Sequence, residues 1–137
     1  MVQPPVFADS SALVAFLLPT DEHAPAARQW IAETDRFLVT SDYVLDETYT
    51  MLLKKTKNHQ WTADKLRKLL ESKLIKLEFV SGSDFWKAKH VFETFLDKEW
   101  SFTDCTSKVV MERLGLQTAF AFDRDFSQFP VIVQPTS

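Results

Sequence analysis

The chain has 137 residues, 45% hydrophobic and 26% charged, with 12 Phe, 4 Trp and 2 Tyr, which suits one compact domain with a sizeable core and excludes disorder as its main state. Two glycines, six prolines and the lack of an internal repeat exclude a collagen-like, linker or solenoid chain and disfavour a β-sandwich rich in tight turns. The net charge of −3 is unevenly spread. Between Lys54 and Lys76, eight Lys and Arg stand against Asp64 and Glu71, giving that segment +6 and the rest −9, an asymmetry that fits either a nucleic-acid contact or a solvated helix face.

In chain order, Val6-Phe7-Ala8 is a short apolar run ending at Asp9. Ser10 and Ser11 then offer N-caps to the helix ALVAFLL, which Pro19 stops. No Lys or Arg precedes this apolar run, so it lacks the pattern of a signal peptide. No run approaches the roughly 18 apolar residues of a membrane helix. Pro25 suits the first turn of a second helix reaching Glu33, followed by a buried-looking strand over Phe37-Leu38-Val39-Thr40. Ser41 or Asp42 caps a long helix to about Lys57, and Thr62 caps another that ends near Ser72 with Leu66, Leu69 and Leu70 on its apolar face.

Leu74 to Val80 largely alternates between apolar and charged residues, as a strand with one wet face at a sheet edge would. Ser83 caps a helix carrying Phe85, Ala88, Val91, Phe92 and Phe95. Ser101 begins another to Leu114, and Gly115 supplies a left-handed stop. Thr118 to Phe122 reads as a strand, Asp123 to Phe129 as a turn, and Val131 to Gln134 as a last strand. Helices alternating with strands too far apart for hairpins predict an α/β domain with a parallel sheet and right-handed crossovers.

Ligands of such sheets lie beyond the carboxyl ends of the strands, where the strand order reverses. Two strands end there in acids: Asp9, and Asp123 with Asp125. Asp104, in the first turn of its helix, and Glu47 are placed to join them. Hard carboxylate oxygens hold Mg²⁺ or Mn²⁺. Without a cation, two charges ~4 Å apart repel by about 4 kcal/mol at an effective dielectric of ~20, which raises their pKa values. Each acid also has a structural use. Asp104 follows Ser101 at capping-box spacing and has Lys108 four residues on, Asp9 suits an N-cap, and Asp123 and Asp125 suit a turn. Helical periodicity does not choose between Glu47 and Asp46.

The segments FADSSALVAFL, TSDYVLDETYTMLLKK, SFTDCTSKVVMERLG and TAFAFDRDF resemble the four blocks of the PIN domain family in the arrangement of VapC-type toxins. The likeness covers nearly the whole chain as a single PIN-like domain over residues 1–137. It implies a parallel sheet of about five strands in the order 3-2-1-4-5, flanked by helices, and a Mg²⁺- or Mn²⁺-dependent endoribonuclease. By this resemblance Asp9, Glu47, Asp104 and Asp123 are the catalytic acids. Asp9, Asp104, Asp123 and Asp125 are the metal-holding ones, with the closer ligand of the last two left open, and Glu47 orients the attacking water. Ser10 and Ser101 match small polar residues that support the acids. The resemblance also implies a homodimer and an antitoxin protein laid across the active-site groove.

Given such an activity, Lys54, Lys55, Lys57, Lys65, Arg67 and Lys68 are candidates to track the RNA backbone. His23, His59 and His90 match no acid–base position and are expected at the surface. A lone cysteine, Cys105, allows no internal disulfide and no Cys-based zinc site, and a reducing cytoplasm is the expected compartment. The competing reading is a non-catalytic PIN-like module that binds RNA or protein, against which the full set of acids argues. A haloacid-dehalogenase-type phosphatase would need Asp-x-Asp after the first strand, where Asp9 is followed by Ser10 and Ser11. A receiver domain would need an acid after the third strand, where Val80 is followed by Ser81 and Gly82.

Overall fold

The computed structural model describes residues 3–136, with the side chains of Asp125 and Ser127 outside the description. Five parallel strands form one sheet: β1 (Val6–Ala8), β2 (Leu38–Ser41), β3 (Ile75–Glu78), β4 (Thr118–Phe120) and β5 (Ile132–Gln134), in the order β3-β2-β1-β4-β5. β1 is central and wholly buried, because it pairs on both sides. Phe7 lies opposite Val39 of β2 and Ala119 of β4. β3 is an edge strand, and its mixed burial matches the alternation of its sequence. The order reverses between β1 and β4, which places Asp9 at the switch point; β4 ends at Phe120 and not at Phe122 as the sequence reading has it, so Asp123 follows three residues beyond the strand.

Six helices connect the strands: α1 (Ser10–Leu17), α2 (Ala24–Glu33), α3 (Asp42–Thr56), α4 (His59–Glu71), α5 (Gly82–Thr94) and α6 (Phe102–Leu114), with a 3-10 segment at Arg124–Gln128. α1 packs against α2 and α3, α3 also against α4 and α6, and α5 against α6. The core gathers the buried strand residues with Leu13, Val14, Val44, Leu52, Leu66, Val110, Met111 and Phe126. Pro25 falls in the first turn of α2, and Gly115 ends α6 at φ 68°, both as the sequence predicts.

Of the caps the sequence offered to α1, Asp9 is the one used, and not Ser10 or Ser11, because the Asp9 carboxylate reaches the Ser11 N–H. Two other helix starts differ from the sequence reading. α4 begins a turn before Thr62, capped by Asn58. Thr62 is buried instead, and its hydroxyl donates to the Asn58 carbonyl. α5 is capped by Ser81, two residues before Ser83, because Asp84 returns the bond and closes a capping box. Phe37 falls outside β2 and is 56% exposed, so the buried strand starts at Leu38.

Candidate active site

The acidic centre is built by helix starts placed at the carboxyl edge of the sheet. Asp9 leaves β1 and caps α1. Its Oδ2 accepts from the Ser11 amide at 3.2 Å and the Ser11 hydroxyl at 2.7 Å. Its Oδ1 is buried with no hydrogen-bond partner among the described residues, and Asp9 is 1% exposed. A buried carboxylate oxygen left unpaired is costly and calls for an explanation. The Asp9 amide donates to the Phe120 carbonyl at 2.9 Å, tying the cap to the neighbouring strand β4.

Asp104 arrives from α6. Ser101 and Asp104 form a reciprocal capping box, each backbone N–H donating to the other's side chain at 3.0 Å. Only one Asp104 oxygen is used by the cap, and the residue is 4% exposed. Glu47, on α3, is half-buried and accepts a short hydrogen bond from the Ser10 hydroxyl at the start of α1. Asp46 is exposed, so the tertiary structure turns Glu47 and not Asp46 toward Asp9. Asp123 follows β4 and is exposed. Asp125 lies in the 3-10 segment, and its carboxylate is outside the described residues.

These acids feel one another. Burial drives the Asp9 carboxyl up to about 7, against the hydrogen bonds of Ser11, and the charges of Asp104 and Glu47 add to the rise. Burial likewise raises Asp104 to about 6, opposed by Ser101 and reinforced by Asp123 and Glu47. The structure therefore brings Asp9, Glu47, Asp104 and Asp123 into one electrostatic neighbourhood. Among the described residues, no group of three or more His, Cys, Asp or Glu is placed to hold a metal ion, and the Asp125 carboxylate lies outside them. The donor set still fits a hard cation: all-oxygen ligands, raised pKa values and an orphaned Asp9 Oδ1, a combination that a divalent ion relieves.

Sequence reasoning gave Ser11 no place in the site. Its hydroxyl donates to Asp9 Oδ2 and accepts from the backbone N–H groups of Phe122 and Asp123 at 2.9 and 3.2 Å. One hydroxyl thus sets the Asp9 carboxylate and the Asp123 backbone relative to each other. Asp-Ser-Ser after the first strand was the available signal, but sequence spacing cannot show which serine faces β4.

The basic residues lie farther off. Lys54 is seven residues beyond Glu47 on the same face of α3, about 10 Å along its axis. Lys55 shares the last turn, and Lys57 ends the helix in the left-handed region. On α4, Lys65 sits over the Trp61 ring at 5.6 Å, and Arg67 pairs with Asp64 at 3.2 Å. Lys65 and Lys68 border a cleft beside Phe16 and Leu17, at the end of α1 remote from Asp9. His23, His59 and His90 are at the surface. Burial pushes the Cys105 thiol up to about 11, which makes it an inert core residue.

A parallel sheet in this order with acids at its switch point defines a class of α/β proteins whose site is a carboxylate-lined, metal-compatible edge. The PIN domain family profile matches residues 6–132, and the chain belongs to that family. Within it, the match is to the VapC-type toxin ribonucleases. The 23S rRNA-specific endonuclease VapC20 of Mycobacterium tuberculosis is 33% identical over 123 residues, covering 89% of this chain and 92% of the relative. The crystal structure of that sarcin-ricin loop cleaving toxin superposes with a TM-score of 0.82 at 30% identity, over 89% of this chain and 92% of its own. VapBC2 from Rickettsia felis, solved bound to a promoter DNA fragment, shares the fold at 12% identity with a TM-score of 0.67, over 96% and 98% of the two chains.

Proposed function

We propose that this protein is a Mg²⁺- or Mn²⁺-dependent endoribonuclease that hydrolyses RNA phosphodiester bonds as the toxin of a type II toxin–antitoxin pair. The observation that carries the reading is the buried Asp9 carboxylate, with one oxygen unpaired and its pKa raised, converging with Asp104, Glu47 and Asp123 at the switch point. Asp9, Asp104 and Asp123 would hold the cation, and Asp125, two residues on in the sequence, is proposed as a further ligand. A divalent ion there would lower the pKa of water and stabilise the charge developing on the phosphate. Glu47, one of whose oxygens is engaged by the Ser10 hydroxyl, orients the attacking water with the other. Ser101 fixes Asp104 through the capping box, and Ser11 holds the β1 and β4 ends in register.

The basic residues of α3 and α4 supply backbone attraction rather than sequence choice. Two partners are proposed, a second copy of the chain and a small antitoxin. Phe79, Trp86, Phe92 and Leu96 are exposed large hydrophobics on and beside α5, apolar area that a partner would remove from water. No helix among the described residues is long and apolar enough to cross a membrane, and the proposed site of action is the cytoplasm.

The test is cleavage of a labelled panel of structured RNAs, ribosomal fragments included, with EDTA, Mg²⁺ or Mn²⁺, beside Asp9→Asn and Asp104→Asn. Metal-dependent cutting lost in both variants is the expected result. A folded, metal-loaded wild type that cuts nothing while still binding RNA would favour the non-catalytic module instead.

A further inference from the structure

Next to Asp123 the chain carries an aromatic stack that the acids do not use. Phe122 lies one residue before Asp123, and its backbone N–H is held by the same Ser11 hydroxyl that binds Asp9. Its ring lies parallel to the His23 imidazole, with centroids 4.5 Å apart and planes 8° from each other. Phe120 packs edge-on against Phe122, and Trp30 stacks on Phe120 at 4.6 Å, so the pair rests on a fixed aromatic base. His23 occupies the N-cap of α2 but makes no side-chain cap bond, and 45% of its side chain still meets solvent. Its Nε2 lies 3.5 Å from Glu22 Oε1.

The ring pair borders a cleft of about 510 Å³ that Gln29, Glu33 and Gln134 also line, a volume within the range of small-ligand pockets. Among the described residues no Lys or Arg lines it, so it suits an uncharged flat ring rather than a phosphate. The Gln29 amide donates to Glu33 at 3.1 Å and the Gln134 amide oxygen accepts from the Thr136 N–H at 3.3 Å, and each amide has further donor and acceptor capacity to offer the edge of a base. Single-stranded RNA is recognised by stacking unpaired bases on Phe, Tyr, Trp or His and hydrogen-bonding their edges.

We propose that His23 and Phe122 form a nucleobase-stacking subsite, which holds an unpaired base beside the scissile phosphate and so contributes to the choice of cleavage site. This inference rests on the nuclease reading for its substrate, while its geometry stands apart from the acids.

The experiment titrates a single-stranded oligoribonucleotide containing 2-aminopurine into Asp9→Asn protein, alone and combined with His23→Ala or His23→Phe. Stacking quenches the fluorophore. Saturable quenching is expected, with binding about tenfold weaker in His23→Ala, the loss of one aromatic–base stack, and retained in His23→Phe. In the otherwise wild-type enzyme, His23→Ala should raise KM about tenfold with little change in kcat. Equal quenching and equal KM with and without the His23 ring, in a wild type that cuts RNA, would overturn the subsite and leave the nuclease reading standing. Quenching that depends on residue 23, in a wild type that cuts no RNA with either metal, would keep the subsite and remove the nuclease.

Discussion

Two Ser-x-x-Asp motifs start neighbouring helices, and they have opposite fates. Ser81 with Asp84 caps α5, Ser101 with Asp104 caps α6, and all four reciprocal hydrogen bonds measure 3.0 Å. Both carboxylates are nearly inaccessible, at 1% and 4% exposed. Arg113, from the last turn of α6, forks onto Asp84 at 3.0 and 2.8 Å and reaches Glu78 at 2.9 Å. Burial pushes Asp84 up, but the bonds from Arg113 and Ser81 outweigh it and hold the carboxyl below its ordinary value. The Arg113 guanidinium is in turn raised by Asp84 and Glu78. Asp104 instead faces the charges of Asp123 and Glu47, and with burial as the main cause its pKa rises to about 6. The same local motif makes a structural clamp where a guanidinium from elsewhere reaches it, and a charge-hungry site where further acids do.

The largest effect should come from exchanging the roles by mutation. Asp104→Asn is expected to cut metal-dependent cleavage by at least about 100-fold, comparable with removing a transition-state-stabilising group, while preserving or raising urea stability. Asp84→Asn should do the reverse, costing about 3 kcal/mol because a mostly buried ion pair is broken, with cleavage per folded molecule unchanged. If both variants lost activity equally at full stability, the contrast between the two aspartates would be wrong.

Ser11→Ala should lower kcat about 10- to 100-fold, the usual consequence of removing a partner that orients a metal ligand, and Ser10→Ala, which releases only Glu47, should cost less. Initial rates at saturating RNA would separate them.

A smaller and pH-dependent effect follows from the raised carboxyls. Folded Asp9 and Asp104 keep protons up to about 7 and 6, whereas the unfolded chain releases them near 3.8. Their favourable contribution is therefore complete below about pH 4 and is lost as pH rises through 6 and 7. Asp84, with its pKa lowered, contributes above 3.8 and loses that contribution only as pH falls further. Thermal melts of metal-free protein should show Tm falling by several degrees from pH 5 to 7.5 relative to Asp104→Asn. Mg²⁺ should raise Tm more at pH 7.5 than at pH 5, and an equal rise at both would contradict the assignment.

The smallest change belongs to the basic face. Replacing Lys65, Arg67 and Lys68 by Gln should weaken RNA binding a few-fold and flatten its salt dependence, by about 0.7 in slope for each single-strand phosphate that is no longer neutralised. An unchanged slope would reduce these residues to a solvated helix face.

Much of this contrast is invisible in the linear chain. Asp9 and Asp123 were legible because each follows an apolar run that forms a strand, and in a parallel sheet strand ends converge. Ser101 and Asp104 were legible as a capping box; Ser81 and Asp84 have the same spacing, yet the sequence reading set that cap at Ser83, and nothing local separates the fates of the two aspartates. Periodicity did not choose firmly between Glu47, beside Val44 and Met51, and Asp46, beside Tyr43 and Thr50; the family resemblance selected Glu47. The hydrogen bond with Ser10, 37 positions away, is the physical contact that sets Glu47 apart. The cap of α4 was read at Thr62, whereas Asn58, the stronger cap former, takes it and Thr62 is buried.

The sequence by itself determined the alternation of helices and strands, the central apolar β1, the stops at Pro19 and Gly115, and the family, because those depend on local sterics, burial pattern and motif order. Tertiary structure alone decided which aspartate meets Arg113, which serine ties Asp9 to β4, and that His23 stacks on Phe122 across 99 positions of chain. Those are long-range placements of charge and ring. Their energies depend on what stands within a few ångströms in space, and distance along the chain does not record that.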